Sequence, residues 1–324
     1  MIELRPWNHP EDTVRLQDLA ERLWPLARHP GGIGWEAATR QRRNHTRLAE
    51  REGTLVAWAE IEDSEIEIYG ASHDPEAGEA LLAWALEIIE PTEPAMPDPT
   101  APEGQSDSAR TEPTRLRVGH GDDVLASLAR QAGFAPDPTG FPWHGLFRSA
   151  EHAEAPAWPE GYRVRSVRDD EAEARVQVHR AAWHPPSIPY PPERAARVSP
   201  DAQSRFCMEF YEDMRRNPMY DPALDLLVEA PDGSLAAHCT IWWSPALGVA
   251  EVEPLGVLPE HRRRGLGGTL ALEACARVRD LGGHEVFING EYVEIYPLPT
   301  QVYRSVGYRQ VELSALWARA RSRS

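Results

Sequence analysis

Lysine is missing from the chain: all 34 basic side chains other than histidine, among 324 residues, are arginine. That absence rules out modification of the protein on lysine, and it is the bias a high-GC genome produces. Cysteine is scarce. Cys207, Cys239 and Cys275 are odd in number and far apart, so neither a disulfide framework nor a zinc spacing is present. Cys275 falls within a helical pattern and reads as a small apolar packing group. No apolar run approaches about 18 residues, which excludes a membrane-spanning helix. Met1 to Pro10 is polar and mixed, unlike a secretory leader, so a cytoplasmic protein is expected. Positive charge is also short. Against 51 acidic residues the net charge is −17 and the pI near 5.2, which disfavours binding to nucleic acid or an anionic membrane. His179 and His184 lack a third ligand, so no metal is expected.

What the chain does carry is concentrated between Val257 and Leu270, VLPEHRRRGLGGTL. A strand (Val249 to Val257) runs into the turn Arg262-Arg263-Arg264-Gly265-Leu266-Gly267-Gly268-Thr269. A helix follows, with Leu266, Leu270, Leu272, Ala276 and Leu281 at three-to-four spacing. Glycines there let backbone N–H groups approach an anion without a Cβ in the way. The helix start adds unpaired donors and the positive end of the macrodipole. On an acidic background, this basic turn is a site for a diphosphate. Its spacing is neither G-x-G-x-x-G nor a P-loop, since no lysine follows the glycines.

Val257, Pro259, Arg262, Gly265, Gly267 and Leu270 fall on strand, V-x-P, [QR]-x-x-G-x-[GA], helix. That pattern resembles motif A of the GNAT acetyltransferases, and the resemblance implies that the turn holds the pyrophosphate of acetyl-CoA. Element order agrees over Tyr162 to Leu316. A strand (Tyr162 to Ser166) leads to a helix ending near Trp183, a Pro-rich loop (His184 to Pro200) and a helix from Asp201 to Arg216. A hairpin (Leu224 to Glu229, Leu235 to Trp243) turns at Pro231-Asp232-Gly233. After motif A come a strand at His284 to Ile288, a short helix at Thr300 to Val306 and a strand at Arg309 to Leu316.

The first half repeats this order in weaker form, ending in a helix (Asp122 to Ala132), Gly133-Phe134 and a strand near Trp143 to Phe147. The expected fold is therefore α/β: two tandem GNAT-like domains, each a mixed, mostly antiparallel sheet flanked by helices. Residues 1–150 would form a degenerate copy and 162–324 the catalytic one, with the break between Ser149 and Gly161. Pro91 to Pro113, rich in Pro, Glu, Ser and Thr, reads as a mobile loop. At the motif A position the first half has Ser72-His73-Asp74-Pro75-Glu76-Ala77-Gly78-Glu79. It offers one glycine, no arginine and three carboxylates that repel phosphate, so that copy is expected to be silent.

Acetyl transfer to an amine needs a base for the ammonium, polarisation of the carbonyl and an acid for the leaving thiolate. Glu251 and Glu253 lie on the motif A strand, on one face if side chains alternate regularly. Glu251 has the spacing from the turn at which family members keep a catalytic Glu; Glu253 is the second candidate. Pro254 suits a bulge. In the family the strands part there, freeing backbone N–H groups in Leu255-Gly256-Val257, of which that of Leu255 or Val257 is expected to donate to the thioester oxygen. Tyr303, in Tyr303-Arg304-Ser305-Val306-Gly307-Tyr308, matches the family's Y-x-x-x-G-[FY], whose tyrosine protonates the thiolate. Where many members carry an Asn contacting CoA this chain has Tyr296; Asn289 is the expected substitute. Acceptor-side candidates are Trp183, His184, Tyr190, Trp242 and Trp243. The implied activity is acetyl-CoA-dependent N-acetylation of a small-molecule or peptide amine by a monomer or homodimer. The alternatives are a CoA-binding sensor or partner module without turnover, and transfer of a longer acyl group.

Overall fold

The computed structural model describes residues 1–39, 45–62, 64–89, 113–290 and 296–320. In chain order the elements begin with β1 (Ile2–Pro6), α1 (Glu11–Leu23), α2 (Pro30–Thr39), β2 (Thr46–Arg51), β3 (Thr54–Glu62), β4 (Glu65–Tyr69) and α3 (Pro75–Ile89). Then come β5 (Thr114–Gly119), α4 (Asp123–Gln131), β6 (Ala135–Pro136), β7 (Trp143–Ser149), β8 (Arg163–Ser166), α5 (Ala172–Ala182) and α6 (Pro192–Ala195). The remainder is α7 (Met208–Arg216), β9 (Asp225–Glu229), β10 (Leu235–Ser244), β11 (Val249–Val257), α8 (Leu266–Asp280), β12 (Glu285–Asn289), α9 (Leu298–Ser305) and β13 (Arg309–Arg319). The expected loop from Pro91 to Pro113 lies, apart from Pro113, outside the described residues.

The chain forms two compact units, and they do not follow the compositional break at Ser149 to Gly161. One unit comprises Met1–Ala27, Arg42–Trp143 and Glu312–Ser324; the other comprises Arg28–Gln41 and His144–Val311. Each half gives its terminal strand to the other unit's sheet. In the first unit β13 pairs antiparallel with β5, and in the second β7 pairs antiparallel with β12. Within the first unit the strand order is β1-β2-β3-β4-β5-β13, and within the second β8-β9-β10-β11-β12-β7. In each, the fourth and fifth strands are the parallel pair, β4 with β5 and β11 with β12. That shared topology is the internal repeat expected from element order. Strand β2 (TRLAER) has only Leu48 and Ala49 as apolar residues and so carries little strand pattern in sequence.

The first unit's core gathers Ala57, Ile66, Leu81, Leu116, Leu125 and Trp317 between sheet and helices. In the second unit α8 lies on one face of the sheet. Leu266, Leu270, Ala274 and Val278 recur every fourth residue and are buried against Ala250, Val252, Ile241 and Val286. Each such leucine contributes roughly 1.5–3 kcal/mol. The helix stops where Gly282 (φ +83°) turns left-handed. There Gly282 and Gly283 donate to the carbonyls of Arg279 and Val278, at 2.9 and 2.8 Å, a glycine-terminated C-cap. The opposite face carries α5, α7 and α2, with Ala38, Val176, Phe210, Met214 and Trp242 buried together. The helix expected from Asp201 starts only at Met208, because Ser199, Pro200 and Asp201 favour a turn: Ser199 Oγ accepts from the Asp201 N–H.

Candidate active site

The glycine-rich turn sits on the second unit's parallel pair. Strand β11 ends at Val257, a 3-10 turn covers Pro259–His261, and Gly265 is the N-cap of α8 with φ +84°. Only glycine adopts that conformation without strain, and a Cβ there would point into open space. No side chain caps α8, and the first bond into the helix is from the Thr269 N–H to the Gly265 carbonyl, 3.0 Å. The N–H groups of Leu266, Gly267 and Gly268 are thus helix-terminal donors with no intrahelical acceptor. Gly268 lies close to α9: a Cβ there would stand 2.8 Å from Val306 Cγ1.

The three arginines differ in what they do. Arg263 and Arg264 are exposed. Arg262 points back into the fold, donating to the carbonyls of Val257 (3.1 Å), Ala182 (3.0 Å) and Ser187. Burial pulls its pKa below the usual arginine value. Its guanidinium ties the turn to the end of α5, so Arg262 shapes the loop and its charge is committed within the protein.

Strands β11 and β12 pair only from Val249–Glu285 to Glu251–Phe287 and then part. Just beyond, the β10–β11 register slips: Ile241 faces Val252, but Cys239 faces Leu255, which leaves Glu253 and Pro254 opposite Thr240. This is the bulge expected at Pro254. Leu258 N–H donates to Ala236 carbonyl across the ladder at 2.9 Å. By alternation Gly256 also bonds toward β10, which turns the N–H groups of Leu255 and Val257 toward the opened gap.

The two glutamates sit differently in the ladder: Glu251 pairs with Trp242, whereas Glu253 falls within the bulge. Glu251 is 3% exposed and lies against α2, its Oε2 3.4 Å from His29 Nδ1. A Cβ on Gly32 would come within 2.8 Å of the same oxygen. Half-buried Glu253 lies within the bulge itself, and its charge acts on Tyr303. Tyr303 is buried on α9, and burial, with the Glu253 carboxylate second, raises its phenol well above the usual tyrosine value. Its hydroxyl makes no hydrogen bond among the described residues. The phenol therefore stays protonated, its proton not committed to a neighbour.

The remaining candidates divide. Asn289 is exposed at the end of β12, past the point where β11 leaves it. Tyr296 is buried with its ring edge-on to Tyr190 at 5.1 Å. Trp242 is fully buried under α2, its Nε1–H donating to the Glu253 carbonyl at 2.6 Å, whereas Trp243 packs on the α8 side. His184 meets Gln203 at 3.4 Å on the loop. Sequence reasoning missed His29 and Gly32, and also His238, which is wholly buried behind Gly256. The His238 ring lies 5.0 Å from that of His179, tilted by 36°, and burial, helped by Arg175, holds both rings well below the usual histidine value. They are neutral packing partners under the bulge.

The corresponding turn of the first unit is built differently. Asp74 Oδ1 caps α3 by accepting from the Ala77 N–H at 3.1 Å. Arg51 holds the same carboxylate at 2.7 and 2.9 Å and also binds Glu76 at 2.8 Å. A carboxylate of the protein occupies the place that is open at Gly265.

Residues 177–295, which carry this turn and Glu251, match the acetyltransferase (GNAT) family. That segment is similar to the GNAT family. A mycothiol acetyltransferase from Thermobispora bispora is 28% identical over 62% of this chain and 64% of its own length. One from Pseudarthrobacter chlorophenolicus is 29% identical over 82% of this chain and 79% of its own. The chain thus spans just under two-thirds of the first of these relatives. A tandem GNAT protein from the clavulanic acid biosynthesis pathway has the same fold at 16% identity, with TM-score 0.53 over the full length of both chains. The two units are tandem GNAT-like folds, and the open turn belongs to the second. GNAT proteins use acetyl-CoA.

Proposed function

We propose that the second GNAT unit transfers an acetyl group to a primary amine by direct attack within a ternary complex. Acetyl-CoA supplies the activated thioester. The N–H groups of Leu266, Gly267 and Gly268 at the start of α8 take its diphosphate, with exposed Arg263 and Arg264 beside them. Leu255 and Val257 direct their N–H groups into the gap between β11 and β12, where they stabilise negative charge developing on the carbonyl oxygen. Glu251 removes the proton of the acceptor ammonium, and Tyr303 gives its phenolic proton to the departing sulfur. Asn289 lies where β12 lines the gap and is assigned to the pantetheine arm. Glu253 keeps the Tyr303 proton in place through its charge.

The observation that carries this reading is the contrast between the two helix starts: uncapped at Gly265, self-capped by Asp74 at α3. One acetyl-CoA per chain is the consequence. The relatives' name, mycothiol acetyltransferase, puts cysteine-derived amines first among acceptors. The test is release of free CoA thiol from acetyl-CoA against a panel of cysteinyl amines, amino sugars, aminoglycosides and dipeptides. Acceptor-dependent release with formation of the matching amide is expected. Stoichiometric binding of acetyl-CoA with no transfer to any member would favour a CoA-binding module instead.

A further inference from the structure

The bulge that opens the strand gap is held by a side chain. On β10, Thr240 alone stands opposite both Glu253 and Pro254, so the ladder has no regular pair there. Pro254 brings no N–H to the strand. The Glu253 carbonyl, on the peptide just before Pro254, accepts from the indole Nε1–H of Trp242 at 2.6 Å.

Trp242 is wholly buried and closely held. A Cβ on Gly31 would collide with Trp242 Cβ and stand 2.7 Å from its Cγ, so the start of α2 rests on the root of the indole. The Tyr220 ring meets the indole edge-on, with centroids 6.4 Å apart. Thr240, on the same face of β10, is fixed as well. Its Oγ1 donates to Asp225 at 3.0 Å and accepts from Arg175 at 3.0 Å, and both partners are wholly buried. The other Asp225 oxygen takes the phenols of Tyr211 and Tyr220, at 2.9 and 3.0 Å. Strand β10 is thus rigid opposite the bulge, and the indole N–H passes that rigidity to β11.

We propose that Trp242 is a positioning residue: by holding the Glu253 carbonyl, its N–H sets the direction in which the Leu255 N–H, one peptide further on, enters the gap between β11 and β12. The proposal rests on the reading of Leu255 and Val257 as donors to the thioester oxygen. That oxygen gains negative charge as the amine nitrogen bonds to the acetyl carbon, and loses it again as the C–S bond breaks and CoA leaves as thiolate. Donor alignment therefore counts most in the transition state. The diphosphate is held elsewhere, at the start of α8, so misalignment acts on kcat rather than on the KM for acetyl-CoA.

The test uses the full chain with Trp242 replaced by 3-benzothienylalanine, which keeps the fused-ring shape and has sulfur in place of the N–H. The ¹³C resonance of [1-¹³C]acetyl-CoA, bound without acceptor, reports how strongly the donors polarise the carbonyl. It should move downfield on binding to wild type and return most of the way to its free position in the benzothienyl variant. With L-cysteinamide as acceptor, kcat should fall on the order of 10-fold, short of the roughly 10²-fold or more that outright removal of an oxyanion donor costs, with the KM for acetyl-CoA unmoved. Trp242→Phe also lacks the N–H and should lose the same carbonyl shift, so it decides the matter should the benzothienyl chain misfold. A bound carbonyl shift kept in either variant, or an unchanged kcat in the benzothienyl variant, overturns the proposal and leaves Trp242 a packing role. No downfield shift in wild type means that the reading of Leu255 and Val257 fails. A wild-type shift that survives loss of the indole N–H means that only the Trp242 proposal fails.

Discussion

Replacing Gly267 by Asp separates the anion site from the fold around it. A Cβ at Gly267 would meet only Val302, Val257 and Leu255, at 3.7 to 4.0 Å, which is ordinary contact. Packing therefore tolerates a side chain. In the first turn of a helix Asp should even help, by about 0.3–1 kcal/mol from the dipole, and loss of a helical glycine adds up to about 1 kcal/mol. Its charge, in contrast, falls among the donors assigned to the diphosphate. At a separation of roughly 6 Å and an effective dielectric near 20, repulsion is about 2–3 kcal/mol per unit of phosphate charge. Because the turn is solvent-exposed, screening removes part of this, leaving on the order of 100-fold weaker binding. Calorimetry of acetyl-CoA with wild type, Gly267→Ala and Gly267→Asp is the assay, with thermal midpoints alongside. Ala should bind nearly as wild type; Asp should lose affinity with an unchanged or raised midpoint. Binding retained in Gly267→Asp, or lost equally in Gly267→Ala, would refute the placement of the diphosphate.

Tyr303→Phe should lower kcat on the order of 10²-fold with little change in KM for acetyl-CoA. Since the hydroxyl makes no hydrogen bond among the described residues, the thermal midpoint should barely move, and an unchanged kcat would return Tyr303 to the core. Arg262→Ala removes three donors to backbone carbonyls, so a loss of roughly 2–3 kcal/mol in denaturant stability is expected, with weaker acetyl-CoA binding as the turn loosens. Arg51, through its hydrogen bonds, holds Asp74 below its ordinary value of 3.8, so this pair stabilises the first unit above that pH and ceases to as acid protonates Asp74 in the fold. Asp74→Asn should therefore lower stability at pH 7 and flatten its decline below about pH 4; equal acid sensitivity in both proteins, by thermal midpoint against pH, would contradict this.

The anion turn could be read from sequence because its chemistry is local. A left-handed glycine, backbone donors and a helix start all lie within a dozen residues. The same locality made the silent turn of the first unit readable from its carboxylates, although the Arg51–Asp74 pair that seals it is a tertiary contact. Register was not readable. One extra residue at Glu253–Pro254 breaks alternation, so of two glutamates that look equivalent one lies in the regular ladder and the other in the bulge. Arg262 resembles its two neighbours in sequence, and only the carbonyls of Ala182 and Ser187, on a separate segment, reveal its distinct role. His29 left no signal at all, because 220 positions separate it from its partner Val249. The exchange of β7 and β13 was hidden for a similar reason: a strand's pattern shows that it needs a sheet, and both sheets offer a suitable edge.

The pH–rate profile of Glu251→Gln tests the central claim most directly. A base at Glu251 matters while the acceptor is an ammonium and becomes unnecessary once the amine is free. With an α-amine of pKa near 8, turnover at pH 7 should fall on the order of 10²-fold or more, and the deficit should shrink steadily as pH rises past the amine's own pKa. A wild-type profile, or a deficit of constant size across the range, would contradict proton removal by Glu251 and with it the proposed transfer site.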